Sequence, residues 1–232
     1  MLLYDFHSHI LPGADHGSSG IETTEKQLDI IKDSGVGAVV ATPHFYPHAH
    51  SVEDFLDMRR ASLEIIEDSL LKKGIRLYLG AEVLLCPSME KMEGLSSLCI
   101  EGTDVMLIEM PFAKWTDELL FSLAEIYKMG INPVIAHIDR YNESNIARLF
   151  EVVENPMLQL NAESLCVLFE KRKNLKLIEE GRVYAIGSDL HGTKGYNAFL
   201  KAIRYIGEEN TERIMQKTAS LLKNAKAYGK TE

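Results

Sequence analysis

The feature that most limits what this 232-residue chain can become is an end-to-end alternation of short apolar runs with segments of helical spacing. Apolar runs of four or five residues fit buried strands, whereas apolar positions three and four apart fit one face of a helix. The strand-like runs are Leu2–Phe6, Ala38–Ala41, Arg76–Gly80, Val105–Ile108, Pro133–Ala136, Met157–Leu160 and Val183–Ile186. Helical spacing covers Ile21–Ser34, Val52–Lys73, Thr116–Met129, Glu143–Glu154, Glu163–Glu180 and a C-terminal pair after Tyr196. Gly35, Gly74, Gly130 and Gly181 follow four of these segments, where a left-handed C-cap is expected. With no Pro- or Ser/Gly-rich linker and no repeat, the expectation is a single α/β domain over residues 1–232. Parallel strands with crossover helices make either a closed or nearly closed barrel or a doubly wound open sheet.

Metal-ligating residue types fall where these strands end. The first run leads into His7 and His9, the second into His44 and the third into Glu82. The fourth leads into Glu109, the fifth into His137 and the seventh into Asp189 and His191. In a parallel barrel all these positions meet on the C-terminal rim, where active sites lie. His7-Ser8-His9 places two imidazoles on one side of an extended segment. With His16, six of the eight histidines belong to this set; His48 and His50 are expected on an exposed loop beside it. Imidazole and carboxylate suit manganese, iron or zinc, and the lack of clustered cysteine argues against a purely structural zinc. If all nine residues ligate, Glu82, Glu109 and Asp189 bring three negative charges, and three divalent cations would leave the pocket positive.

That local charge matters because the whole chain carries −9. Such a balance opposes nucleic-acid binding, which rewards basic patches. The apolar runs are too short to insert in a bilayer. The opening MLLYDFHSHI lacks the basic start of a signal peptide, so a cytoplasmic location is expected. The odd set Cys86, Cys99 and Cys166 suggests free thiols rather than a disulfide framework. Cys166 and Arg172 have the spacing of cysteine-dependent phosphatases, but the residues between them lack the glycines of an anion-binding loop and fit a helix.

The motifs resemble the polymerase-and-histidinol-phosphatase superfamily, and within it the bacterial manganese-dependent protein-tyrosine phosphatases of the CpsB/YwqE type. Asp5-Phe6-His7-Ser8-His9-Ile10-Leu11-Pro12 is similar to that family's opening, followed by Ala41-Thr42-Pro43-His44, Gly80-Ala81-Glu82-Val83 and Ile108-Glu109-Met110-Pro111-Phe112. Ile135-Ala136-His137-Ile138-Asp139-Arg140-Tyr141, Gln159-Leu160-Asn161-Ala162-Glu163-Ser164-Leu165 and Gly187-Ser188-Asp189-Leu190-His191 complete the order. The resemblance implies a distorted (β/α)7 TIM-like barrel, a three-metal cluster, most readily manganese, and a phosphotyrosine protein as substrate. That protein would be a bacterial tyrosine kinase of capsule or exopolysaccharide biosynthesis. A small-molecule phosphatase of the same superfamily, such as one acting on histidinol phosphate, and a catalytically idle metal-binding regulatory module are the alternatives. Two departures stand out. Asp15-His16-Gly17 replaces a usual pair of aspartates, which makes His16 the expected ligand and Asp15 its neighbour; His137-Ile138-Asp139-Arg140 lacks the frequent proline and glutamate.

Phosphate-ester hydrolysis at such a site needs only a metal-activated water and well-placed charge. Arg140 can offer its planar fork to phosphoryl oxygens. Asp189 or His191 can assist proton transfer, although a residue bonded to metal is a poor free acid. Phe45, Tyr46, Phe112 and Trp115 flank the rim and either grip a phenyl ring or pack as core. Asn161 either faces the pocket or caps the following helix.

Overall fold

A computed structural model describes residues 1–167 and 171–229. Its parallel strands are β1 (Tyr4–Ser8), β2 (Ala38–Ala41), β3 (His44–Phe45), β4 (Arg76–Leu79), β5 (Glu82–Leu84), β6 (Val105–Glu109), β7 (Asn132–Ile135), β8 (Met157–Asn161) and β9 (Val183–Gly187). They pair as β1-β2-β4 and as β3-β5-β6-β7-β8-β9. Thr42-Pro43 separates β2 from β3, and Gly80-Ala81 separates β4 from β5, but the bonding carries through: Gly80 N–H donates to Ala41 O (2.8 Å) and Glu82 N–H to Pro43 O (3.0 Å). Counting β2/β3 and β4/β5 as single positions, the strands form a ring of seven. Its seam lies between β9 and β1, where Ser8 pairs with Leu190, Asp189 N–H donates to His7 O (2.8 Å) and His9 N–H to Leu190 O (3.2 Å).

The ring is distorted at its N-terminal end. There β4 pairs with β10 (Ala227–Gly229), an antiparallel strand that no periodicity announced. β1 starts two residues later than Leu2–Phe6, so His7 sits within the strand rather than beyond it.

Helices α1 (Ile21–Asp33), α2 (Val52–Lys73), α3 (Asp117–Lys128), α4 (Glu143–Val152), α5 (Lys171–Glu179) and α6 (Asn197–Leu221) surround the ring. Three of them start on side-chain caps, with Ser51, Thr116 and Asn142 each accepting from the amide three residues on. The four helix-ending glycines all have positive φ, as at Gly74 (67°). In place of Glu163–Glu180 there is a 3₁₀ turn at Ala162–Cys166 and then α5; residues 168–170, inside the Cys166–Arg172 segment, lie outside the described residues. The expected C-terminal pair is α6, broken at Gly207 (φ 83°, ψ 168°).

Two apolar layers follow from strand alternation. The interior plug includes Phe6, Val40, Tyr78, Leu107, Val134 and Ala185. The outer layer packs the opposite strand faces, such as Val39, Leu77, Ile108 and Ile135, against Leu28, Ile66, Leu123 and Phe199 of the helices. Each such fully buried side chain contributes roughly 1.5–3 kcal/mol. The plug fills the barrel below, so polar side chains continuing the interior face upward stand on an apolar floor.

Candidate metal centre

The interior face of β6 runs Val105, Leu107, Glu109, so the period of two that fills the plug also delivers Glu109 to its top. Glu82 starts β5 opposite His44, its register partner on β3. His137 and Asp189 have φ of 31° and 52°; among the described residues only Ser88 is another non-glycine with positive φ. Such backbone costs energy and persists where surroundings impose it, commonly at functional sites. Two glycines admit close approach. A Cβ on Gly187 would lie 2.4 Å from His7 Cβ, and one on Gly17 2.1 Å from His9 Cβ.

These elements bring His7, His9, His44, Glu82, Glu109, His137, Asp189 and His191 into one cluster. Three sets of donor atoms lie within 4.8 Å of one another: His9/His44/His191, His7/His9/Glu82 and His44/Glu82/Glu109. They share His9, His44 and Glu82, so the three groups form one continuous cluster. His137 Nε2 is 2.8 Å from Glu82 Oε1 and 3.6 Å from Glu109 Oε1, and Asp189 Oδ1 is 3.3 Å from His9 Nε2. His16 is exposed at the edge, its ring 4.5 Å from that of His191 and 4.9 Å from that of His44. Asp15 is committed elsewhere: its carboxylate accepts from His9 Nδ1 (2.6 Å), Gly17 N–H (2.8 Å) and His44 N–H (3.1 Å).

The donor set fits a divalent cation. Buried His44 Nδ1 and Nε2, Glu82 Oε2, His137 Nδ1 and His191 Nε2 make no hydrogen bond, although His44 Nδ1 and Glu82 Oε2 are only 2.8 Å apart. Buried polar atoms without partners are costly and rare, and here four residues of one cluster carry them. His7 and His9 present their Nε2 atoms to each other at 3.1 Å. His7 Nδ1 faces Gln159 Oε1 (3.2 Å) and His9 Nδ1 faces Asp15, so both Nδ1 atoms carry the proton. Two lone pairs therefore meet unless a positive charge, a proton or a metal ion, joins them.

The electrostatics agree. Burial opposes charge on His9, but hydrogen bonds to Asp15, Asp189 and Glu82 outweigh it and raise its pKa well above the ordinary value. Burial would likewise lift Glu82, yet the charge of His7 and the hydrogen bond from His137 hold that carboxyl well below its usual range. At Glu109 burial wins, aided by the negative Glu82, and the pKa rises to about 7. Burial lowers His137 and His191, which favours the neutral imidazole that a metal requires.

Around the cluster, Arg140 Nη2 donates to Asp189 Oδ2 at 2.6 Å. Asn161 faces the pocket, donating to the same Asp189 oxygen (2.9 Å), and makes no helix cap. The four aromatics separate: Phe45 and Trp115 are fully buried, whereas Phe112 is 64% exposed and lies nearly parallel to His137, and Tyr46 lies nearly parallel to His44. His48 packs on Tyr46, and His50 accepts from Tyr46 N–H. Two glutamines escaped sequence reasoning as site residues. Gln27 Nε2 reaches Gly192 O (2.9 Å), Gly17 O (3.3 Å) and His9 O (3.4 Å), tying three rim segments. Its only signal was an amide on the buried face of α1. Gln159 stood in a quoted motif with no role.

Residues 3–228 match the model of the CpsB/CapC family of capsular polysaccharide synthesis. The chain belongs to that family. A CpsB/CapC-family relative, tyrosine-protein phosphatase CpsB of Streptococcus pneumoniae, is 27% identical over 206 residues, covering 82% of this chain and 83% of its own. Tyrosine-protein phosphatase YwqE of Bacillus subtilis (strain 168) is 26% identical over 239 residues, covering 96% and 92%. In fold, the chain is similar to solved metal-dependent tyrosine phosphatases, YwqE of B. subtilis and CpsB of S. pneumoniae, with a TM-score of 0.79, 22% identity and coverage of 99% and 100%. A TatD-like protein from Archaeoglobus fulgidus shares the fold more distantly, with a TM-score of 0.56 at 16% identity, covering 95% and 99%. No helix among the described residues is long and apolar enough to cross a membrane.

Proposed function

We propose that this chain is, over residues 1–232, a single-domain metal-dependent phosphoesterase that removes phosphate from phosphotyrosine in proteins. The observation that carries the reading is the clustering of buried histidine and carboxylate side chains, several with partnerless polar atoms, at the C-terminal rim of the barrel, with Arg140 beside them. The ligands are His7, His9, His16, His44, Glu82, Glu109, His137, Asp189 and His191, holding three divalent cations, with manganese the first choice and iron or zinc next. Bound there, such cations supply Lewis acidity toward phosphoryl oxygens and a water acidic enough to attack at neutral pH.

The chain's own residues do the rest. Arg140, 43% exposed, takes phosphoryl oxygens through its fork while its link to Asp189 keeps it at the rim. Asp15 orients His9, so that imidazole needs no reorganisation during the reaction. His191, 30% exposed with the buried side chain of Asp189 beside it, stands toward the open side, where water can bring the proton that the departing phenolate takes up. Phe112 offers an apolar face beside His137 for the phenyl ring.

The openness of this rim favours a protein substrate over a small molecule, since Phe112 and Arg140 face solvent. The family and its phosphatase relatives support a phosphotyrosine protein of capsular polysaccharide synthesis as that substrate, and we take it to be a tyrosine kinase met in the cytoplasm. Manganese-loaded protein tested side by side on phosphotyrosine peptide, phosphoserine peptide and histidinol phosphate should show the highest kcat/KM on the first. A higher value on histidinol phosphate would reassign the substrate, and inactivity on all three at verified metal content would leave a non-catalytic module.

A further inference from the structure

In the ring of seven, β8 is the position to which no metal ligand is assigned, yet its inward side chains reach the centre. Gln159 is completely buried. Its Oε1 accepts from the backbone N–H of His137 at 2.7 Å, and an amide proton can only be donated, so the oxygen of this side chain is identified beyond an amide flip. The same Oε1 lies 3.2 Å from His7 Nδ1, which must then carry its ring proton and donate. Nε2 of His7 is left with its lone pair, aimed at His9 Nε2 (3.1 Å), Glu82 Oε2 (3.3 Å) and Asp189 Oδ1 (3.6 Å).

The other end of the amide acts in the same sense. Gln159 Nε2 donates to Asn161 Oδ1 at 3.0 Å, which turns Asn161 Nδ2 toward Asp189 Oδ2 at 2.9 Å. One uncharged side chain therefore touches the backbone or ring of two metal-type histidines from different strands and, through Asn161, a carboxylate from a third. The site accommodates it tightly, since a Cβ on Gly187 would lie 2.8 Å from Gln159 Nε2.

We propose that Gln159 is a positioning residue that fixes His7 in the tautomer whose Nε2 can bind metal, and holds His137 and Asp189 in register with it. An apolar residue here would let His7 carry its proton on Nε2, where it donates to Glu82 and competes with the cation. This inference rests on the metal-centre reading above.

The test measures affinity for Zn²⁺ or Mn²⁺ alone, by competition with a chelating dye, in wild type, Gln159→Leu and Gln159→Glu, with metal-free melting as a check on folding. Glu retains an oxygen acceptor for His7 and His137 and, in the protonated form that complete burial favours, an O–H donor for Asn161 Oδ1, whereas Leu retains neither. Outer-shell partners of metal-bound histidine are worth about 10–100-fold in affinity, so Gln159→Leu should weaken binding by that factor and Gln159→Glu should recover most of it. Histidine nitrogen resonances of zinc-loaded wild type should show His7 protonated at Nδ1. Wild-type affinity in Gln159→Leu would overturn the proposal, as would equal loss in Gln159→Glu with unchanged metal-free melting. If Gln159→Leu fails to fold, Gln159→Glu and the His7 resonances decide. Wild type that binds no metal would instead overturn the reading of the site, and this inference with it.

Discussion

Arg140 donates from Nη2 to Asp189 Oδ2 at 2.6 Å while 43% of its side chain stays exposed. A guanidinium is thereby held beside the histidine and carboxylate cluster with much of its side chain still in solvent. Removing a preorganised donor of this kind costs about 100- to 1,000-fold in kcat, so Arg140→Ala should fall in that range on a phosphotyrosine peptide. Arg140→Lys should recover little, because an ammonium does not reproduce the planar fork. Steady-state kinetics at matched metal content checks this, and activity within twofold of wild type in Arg140→Ala would remove the residue from the chemistry.

Phe112 and Trp115 are close in sequence and opposite in role. Trp115 is fully buried, its indole N–H donating to Pro111 O and its ring edge-on to Tyr141. Trp115→Ala should cost about 3–5 kcal/mol in urea unfolding. Exposed Phe112 should leave stability unchanged when replaced by Ala, but lower kcat/KM on phosphotyrosine peptide about tenfold, the scale of one aromatic contact. The reverse pattern would mean that Phe112 belongs to the core.

Gly187 separates His7 from Gln159. Adding one methyl places carbon 2.4 Å from His7 Cβ, with Gln159 Nε2 at 2.8 Å, and both neighbours are fully buried. Overpacking of a dense interior costs about 1–3 kcal/mol. Gly187→Ala is therefore expected to melt earlier and to bind fewer metal equivalents by elemental analysis. Full occupancy and an unchanged Tm would show that β9 and β1 do not pack as described.

The thiols should react in the order of their exposure. Cys166 is exposed and Cys99 buried, and burial together with the charge of Asp104 raises Cys99 to about 11. Between pH 9 and 11 the folded state keeps a proton that the unfolded thiol has lost. The contribution of Cys99 to stability is thus present below pH 9 and disappears as pH climbs toward 11. Urea titrations should show a shallower decline over this range in Cys99→Ala than in wild type, while Ellman's reagent labels Cys166 first. Equal slopes would place Cys99 in water.

Much of this architecture was legible because one signal served two purposes. The period-two interior face that plugs the barrel, as in Val105-Leu107-Glu109, is the face that carries metal-type side chains to its rim, so locating strands also located their cluster. Helix ends were legible where glycine follows the last turn, as at Gly74. β10 was not, because three residues, Ala227–Gly229, are too few to show a period and pair only through long-range contact. The same limit hid Gln159 and Gln27. An amide in a strand or helix advertises no chemistry until the backbone groups it bonds are known. The aromatics Phe45 and Trp115 differ from Tyr46 and Phe112 only in which side of the chain packs inward, a distinction set by tertiary contacts.

The most direct test of a metal-dependent phosphotyrosine phosphatase is the rate of phosphotyrosine-peptide hydrolysis by metal-stripped protein as Mn²⁺ is added back. The proposed three-cation site predicts a rate near zero without metal that climbs and saturates at about three equivalents. Hydrolysis that survives complete stripping, or none at three bound equivalents, would contradict it.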